Sequence, residues 1–289
     1  MKIIIFGAKG NLGTQLVYIF NATNKVIAWD KEGVDITNES LILQKINDNK
    51  PDIVINATGY NAVDKCENNQ KEYEIALKLN RDFVRYLAKA SVINKAVFVN
   101  YSSDYVFSGD KKNGYEENDL QAPINKYGET KLMGEREILG YKKGELKYYL
   151  IRTSKLFGPK GESKLAKPSF FDLMLELSRK RDIIKAVDEE VSCFTYTPDL
   201  AKATLDLVNN KKPFGIYHIT NSGPCTWHGA AKELFKIANV NIKAIPITSK
   251  NFPRPAKRPK YSVLLNTKLK PLRDWKEALK EYLPKPINL

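Results

Sequence analysis

A chain of 289 residues with 43% hydrophobic side chains can bury an ample core without covalent staples, and its three scattered cysteines (Cys66, Cys193, Cys225) lack any CxxC pair, which argues against a disulfide framework and a zinc site. Lysine and arginine outnumber aspartate and glutamate 47 to 33, a formal charge of +14, but the lysines run along the whole chain with no nucleic-acid module signature, so the excess reads first as solvated surface and only then as attraction for an anionic ligand. No window approaches about 18 uninterrupted apolar residues and neither a leader nor a lipidation motif is visible, so a soluble cytoplasmic protein, without a membrane or nucleic-acid partner and without a metal, is expected.

In chain order, short β-branched runs at Lys2 to Phe6, Val26 to Trp29, Asp52 to Asn56, Ala96 to Tyr101 and Tyr148 to Arg152 read as strands. Between them, Leu12, Leu16 and Phe20, then Leu41, Ile42 and Ile46, then Ile75, Leu79, Phe83 and Leu87 recur at helical spacing. Such alternation predicts an α/β chain with a Rossmann-type, doubly wound parallel sheet. After about Ser154 the pattern loosens through Gly158 to Gly161 and Lys167-Pro168, then resumes in helix-like stretches at Phe170 to Arg181 and Asp274 to Leu283. The expected division is a dinucleotide-binding domain over residues 1–153, with 190–212 packing back on it, and a smaller substrate-binding lobe over 154–289.

Gly7-Ala8-Lys9-Gly10-Asn11-Leu12-Gly13 links the first strand to the first helix. Absent side chains there let the backbone approach a pyrophosphate at the positive helix end, so Gly7, Gly10 and Gly13 are candidate cofactor residues. Asp30 ends the second strand, where a carboxylate accepts from ribose hydroxyls. A purely structural tight turn is the competing reading. Asp30 favours NAD(H), whereas Lys9 and Lys31 would suit the 2′-phosphate of NADP(H), so both cofactors stay open.

Tyr127 and Lys131 stand four residues apart on a segment whose Leu132, Met133, Ile138 and Leu139 supply an apolar face. A free tyrosine titrates near 10, so a phenol working near pH 7 needs about 4 kcal/mol of electrostatic help. A neighbouring lysine is expected to supply part of it and to orient the nicotinamide ribose. Ser103 closes the run Val97 to Ser103, where a parallel sheet places its ligands, and can hydrogen-bond the same carbonyl oxygen as Tyr127.

These residues resemble the extended branch of the short-chain dehydrogenase/reductases, and within it the dTDP-4-dehydrorhamnose reductase family. The likeness runs nearly end to end, through Pro51 to Ala57, Ala62 to Glu67, Ser102 to Phe107, Tyr127 to Glu135, Ile151 to Ser154, Gly215 to His218 and Pro255 to Pro259. It implies a catalytic set of Ser103, Tyr127 and Lys131. It also implies a dinucleotide lined by Gly10, Asn11, Leu12, Asp30, Asp35, Ile36, Ala57, Thr58, Gly59 and Tyr101, with Asp104 meeting the sugar nucleotide. The implied reaction is NAD(P)H-dependent reduction of the 4-keto group of a dTDP-linked 6-deoxyhexulose.

Two departures stand out. Lys155 occupies the substrate-binding position that usually holds tryptophan, and residues 162–168 look like an insertion. Tyr105 follows Asp104 where the 4,6-dehydratases carry glutamate, so elimination of water lacks its acid-base pair. Within the basic run Lys250 to Lys260, Arg254 and Arg258 are candidates for a diphosphate clamp, a solvated loop being the alternative. His218 reads as structural. Competing functions are a redox-silent dinucleotide-binding subunit similar to that of methionine adenosyltransferase, a reductase of another nucleotide sugar, and, from charge alone, a nucleic-acid binder. A homodimer is compatible with the sequence.

Overall fold

The structure, a computed structural model, describes residues 1–283; the last six residues of the expected lobe, 284–289, lie outside the described residues. Five strands, β1 (Lys2–Phe6), β2 (Lys25–Trp29), β3 (Ile53–Asn56), β4 (Val97–Ser103) and β5 (Tyr148–Thr153), join Gly215–His218 in one parallel sheet. Its order is β2-β1-β3-β4-β5 followed by the 215–218 strand. The order reverses between β1 and β3, the switch point at which open α/β sheets leave a crevice beyond their carboxyl ends.

Alternate side chains of each strand enter two cores, as a sheet covered on both faces requires. Ile3 and Ile5 pack with Leu12, Leu16 and Phe20 of helix α1 (Asn11–Asn21) and with Leu200, Ala201 and Leu207 of the helix Thr197–Asn209. Ile4 and Phe6 pack oppositely, against Ile42 and Ile46 of α2 (Glu39–Asn49) and against helices further along. Those are α5 (Phe83–Ile93) and α6 (Lys126–Leu139), whereas α3 (Val63–Asn68) and α4 (Gln70–Leu77) bury Cys66 and Ala76 in a small separate cluster with Tyr60. A third, aromatic core of Phe157, Phe171, Phe194 and Trp275 holds together the carboxyl-terminal helices Phe170–Ser178, Trp227–Ile237 and Trp275–Tyr282. Among the described residues no helix is long and apolar enough to cross a membrane, and no acidic, histidine and cysteine cluster is placed to hold a metal.

The regular helix expected through Ile75, Leu79, Phe83 and Leu87 is interrupted by a π-turn at Lys78–Asp82. The wider turn rotates the stripe, so Phe83 and Leu87 are buried while Ile75 is 44% exposed. It also turns Asn80 inward, where its amide accepts from the Tyr60 amide (3.0 Å) and donates to the Tyr60 carbonyl and to Thr130 Oγ1 of α6.

Arg152 of β5 and Glu135 of α6 are both wholly buried and pair through two bonds, Nε to Oε1 at 2.9 Å and Nη2 to Oε2 at 2.7 Å. Arg152 also donates to the Glu117 carbonyl, and His218 lies beside it. Burial, reinforced by the Arg152 charge, pushes His218 down to about 4, so it stays neutral and structural. Removing one partner strands the other charge in the interior. Glu135→Ala is therefore expected to lower unfolding free energy by about 3–5 kcal/mol, and Glu135→Leu with Arg152→Met to recover much of that, both read by urea denaturation.

Candidate functional site

The glycine turn comes first. A side chain at Gly13 would lie 1.9 Å from the Gly7 carbonyl, so the turn closes only on glycine. No side chain caps the amides of the first turn of α1, and no acidic residue sits there. An uncapped helix start with a bare backbone approach fits an anionic pyrophosphate. Asp30 Oδ2 accepts from the Lys9 amide (2.9 Å) and Oδ1 from the Lys31 amide, which fixes the carboxylate at the end of β2. Lys9 itself is paired with Glu32. Asp35 closes its own turn by accepting from the Thr37 amide and hydroxyl, and Ile36 packs on the sheet core.

The next loop, Ala57-Thr58-Gly59, is held from below by side chains at the ends of β3 and β4. Asn56 Nδ2 donates to Asn100 Oδ1 (2.8 Å), while Asn56 Oδ1 accepts from the Thr58 amide and hydroxyl. Tyr101, expected to line the dinucleotide, presents its backbone rather than its ring. Its phenol is buried against Thr204 (2.7 Å), and it is the backbone carbonyl that faces the site and accepts from Lys131 Nζ (3.2 Å). Side chains alternate along a strand, so a residue whose carbonyl serves the crevice can still send its ring into the core.

α6 begins at Asn125, whose side chain accepts from the Gly128 amide (2.8 Å) and donates to the Lys257 carbonyl. Tyr127 and Lys131 lie in its first turns and face the end of β4. Burial pushes the Tyr127 phenol up to about 12, with the Ser103 hydroxyl opposing the rise, and pushes the Lys131 ammonium down to about 8. The neighbouring lysine therefore does not by itself depress the phenol. Lys131 is spent on a backbone carbonyl, and desolvation of the ring outweighs what remains.

Ser103 donates to Asp104 Oδ1 (3.1 Å), and Asp104 Oδ2 accepts from Ser154 (2.9 Å) and Ser262 (2.6 Å). Asp104 is 2% exposed, and burial raises its carboxyl above the usual range. It is placed as a brace linking Ser103 to β5 and to the carboxyl-terminal loop, with both oxygens engaged. Tyr105 stacks edge-on against Tyr127, ring centroids 5.7 Å apart.

Beyond Tyr105 a cleft is lined by Lys155, Glu190, Ser192, Trp227, Pro259 and Ser262. The Lys155 ammonium lies 3.7 Å from the centre of the Trp227 ring, and burial pushes it down to about 8. Arg254 is bound by Glu190, and Arg258 forks onto both oxygens of Asp64 at 2.6 and 2.7 Å. Neither arginine is a free solvated side chain.

Sequence reasoning did not find Asn80, Glu190, Ser192, Trp227 or Ser262, which reach the site from distant segments. The loop that carries residues 162–168 folds onto the glycine turn: the Gly161 amide donates to Asn11 Oδ1 (2.9 Å), the Ser163 amide donates to the Lys9 carbonyl (2.8 Å), and Asn11 Nδ2 donates to the Lys167 carbonyl. A Cβ at position 161 would lie 2.5 Å from the Lys9 oxygen and the Gly10 carbonyl carbon. Gly161→Ala is expected to lift the loop from the turn and weaken dinucleotide binding about ten-fold, or 1.4 kcal/mol, in a fluorescence titration.

The family model described as RmlD substrate binding domain matches residues 1–286. A dTDP-4-dehydrorhamnose reductase of Aggregatibacter actinomycetemcomitans is 33% identical over 96% of this chain and 97% of its own. Among solved structures, a dTDP-4-dehydrorhamnose reductase of Clostridium acetobutylicum is similar with a TM-score of 0.89 and 38% identity over 98% of each chain. The enzyme of that name from Bacillus anthracis, solved in complex with NADP, has a TM-score of 0.89 and 33% identity over 97% of this chain and 98% of its own. With a family match across almost its whole length and a parallel-sheet crevice of the same build, the chain belongs to the RmlD substrate-binding-domain family.

Proposed function

We propose that the chain is a cytoplasmic NAD(P)H-dependent oxidoreductase that reduces the 4-keto group of a dTDP-linked 6-deoxyhexulose, converting dTDP-4-dehydrorhamnose to dTDP-L-rhamnose. The observation that carries this reading is the convergence of the Tyr127 phenol, the Ser103 hydroxyl and the Lys131 ammonium at the carboxyl end of β4, on the same edge of the sheet as the glycine turn. In this reading residues 1–153 hold the dinucleotide, with 190–212 packing back on that domain, and the lobe that follows residue 153 mainly holds the sugar nucleotide.

Gly7, Gly10, Asn11, Leu12 and Gly13 receive the pyrophosphate, Asp30 the ribose hydroxyls, and the 57–59 loop the inner half of the cofactor. When bound, the reduced dinucleotide supplies a hydride to the carbonyl carbon. The electron pair displaced onto the carbonyl oxygen is met by the Tyr127 proton, while Ser103 hydrogen-bonds the same oxygen. A phenol pushed up to about 12 is fully protonated at neutral pH, which is the form the reductive direction needs. Asp104 acts through Ser103 by fixing its hydroxyl. Arg254 and Arg258, anchored by Glu190 and Asp64, direct their remaining N–H groups at the diphosphate.

Tyr127→Phe removes the acid without changing the cavity. It is expected to cut kcat about 10³-fold and Ser103→Ala about 10²-fold, with NADPH affinity unchanged, in an NADPH-oxidation assay on dTDP-4-dehydrorhamnose. Near-normal turnover by Tyr127→Phe overturns the assignment; NADPH binding without oxidation on any nucleotide-linked keto sugar points instead to a redox-silent subunit.

The ammonium of Lys131 is present below about pH 8 and lost above it. The rate constant kcat/KM is therefore expected to fall as pH rises through about 8, and the limb to move upward in Lys131→Arg.

A further inference from the structure

Two buried polar atoms facing the cleft beside Tyr105 have no hydrogen-bond partner, the Lys155 ammonium and the Ser192 hydroxyl. The ammonium rests on Trp227 at 3.7 Å and on Phe194 at 5.0 Å and has no hydrogen-bond partner among the described residues, while Cys225, Asp104, Glu190 and Cys193 act on it through space. An ammonium has three donors and no acceptor, and a ring face satisfies none of them in the manner of a lone pair.

The acids within reach are already committed. Glu190 accepts from Arg254 through both oxygens, from Trp227 Nε1 (3.0 Å) and from Ser249 Oγ (3.2 Å). Asp104 accepts from three serine hydroxyls. The backbone at Lys155 is left-handed, with φ of 35°, an arrangement that is strained for a side chain other than glycine or asparagine. Strain, desolvation and orphaned donors meet in one residue, at the wall of a small pocket also lined by Tyr105, the ring that meets Tyr127 edge-on. Such a cluster is stable in a complex that brings acceptors to it.

We propose that Lys155 and Ser192 form a hydroxyl-recognition subsite: they hydrogen-bond an oxygen substituent of the sugar ring, so that the enzyme selects keto sugars carrying that hydroxyl over the deoxygenated counterparts. This rests on the reductase reading above and adds to it the substituent that sets specificity. A site built to bond a substrate hydroxyl rejects the analogue lacking it strongly, because its own buried groups are then left unpaired. The ring faces of Trp227 and Phe194 hold the ammonium in place between turnovers.

The test compares dTDP-4-dehydrorhamnose with its 2-deoxy and 3-deoxy analogues, using the full-length enzyme with NADPH. For wild type, kcat/KM is expected to fall at least about 100-fold for one of the two analogues. Lys155→Met should lose a similar factor on the parent sugar, mainly through KM, and stay within about three-fold of wild type on that analogue, so that selectivity collapses; Lys155→Arg should restore part of it. NADPH affinity and thermal unfolding of each variant report whether the fold is kept. The proposal is overturned if Lys155→Met discriminates as wild type does, or if it loses the same factor on every sugar, the signature of a packing role alone. Calorimetric titration of dTDP-rhamnose against its 2-deoxy and 3-deoxy analogues makes the same comparison without turnover. A chain that oxidises no NADPH but still binds the hydroxylated sugar selectively would sink the reductase reading and leave the subsite standing.

Discussion

Everything in the site depends on how closely α6 approaches the backbone on either side of it. A side chain at Gly128 would stand 2.1 Å from the Tyr105 carbonyl, and one at Gly134 would stand 2.0 Å from the Asn80 carbonyl. The helix is thus wedged between the turn that follows β4 and the π-turn that follows α4, at a separation only a missing Cβ permits. Tyr127 is adjacent to the first of these glycines, and Lys131 lies between the two. Their positions are set by backbone contact, with the Asn125 cap fixing the start of the helix and the buried Arg152 pair tying its middle to β5. In the proposed reaction a phenol placed in this way needs no rearrangement to meet a substrate oxygen, which is the economy that preorganised sites exploit.

Two different uses of buried charge surround this helix. Arg152 and Glu135 neutralise one another through paired bonds and close the structure. Asp104 is hydrogen-bonded by neutral hydroxyls and Lys155 rests on neutral rings, so the two oppose each other through space without a paired bond. Both sit beside Ser103 and Tyr105, where unpaired charge and its raised or lowered affinity for a proton are concentrated. The contrast separates the part of the interior that maintains the fold from the part that faces the ligand.

Much of this was legible in the sequence where the signal is local. The glycine turn, Asp30 at the end of β2, Ser103 at the end of β4, and the Tyr127 and Lys131 spacing each occupy a few consecutive residues, and each marks an element boundary that periodicity alone locates. What escaped is non-local. Ser262 reaches Asp104 across 158 residues, and Asn80 reaches α6 across 50. No window of sequence contains both partners. The π-turn escaped for another reason: Leu79, Phe83 and Leu87 fit an ordinary helix, and only the exposure of Ile75 betrays the extra residue in the turn. Lys131 alone does not lower the tyrosine, because spacing along a helix tells that two side chains share a face, while the choice of Lys131 for the Tyr101 carbonyl is made by the neighbouring strand.

The loop before the helix Phe170–Ser178 ties two distant parts of the chain together through backbone bonds. Its residues belong in sequence to the substrate lobe, yet Gly161, Ser163 and Lys167 bond to Lys9 and Asn11 at the cofactor turn. The same chain segment begins at Phe157, which is anchored in the aromatic core with Phe171 and Tyr196. Displacing the loop therefore pulls on the lobe core at one end and on the first turn of α1 at the other. Because these bonds run through backbone atoms and one asparagine, most substitutions within residues 162–168 leave them intact, whereas Gly161 has no such freedom. On the proposed assignment of the two sites, a ligand that tightens this bonded segment at one of them is expected to favour occupancy of the other.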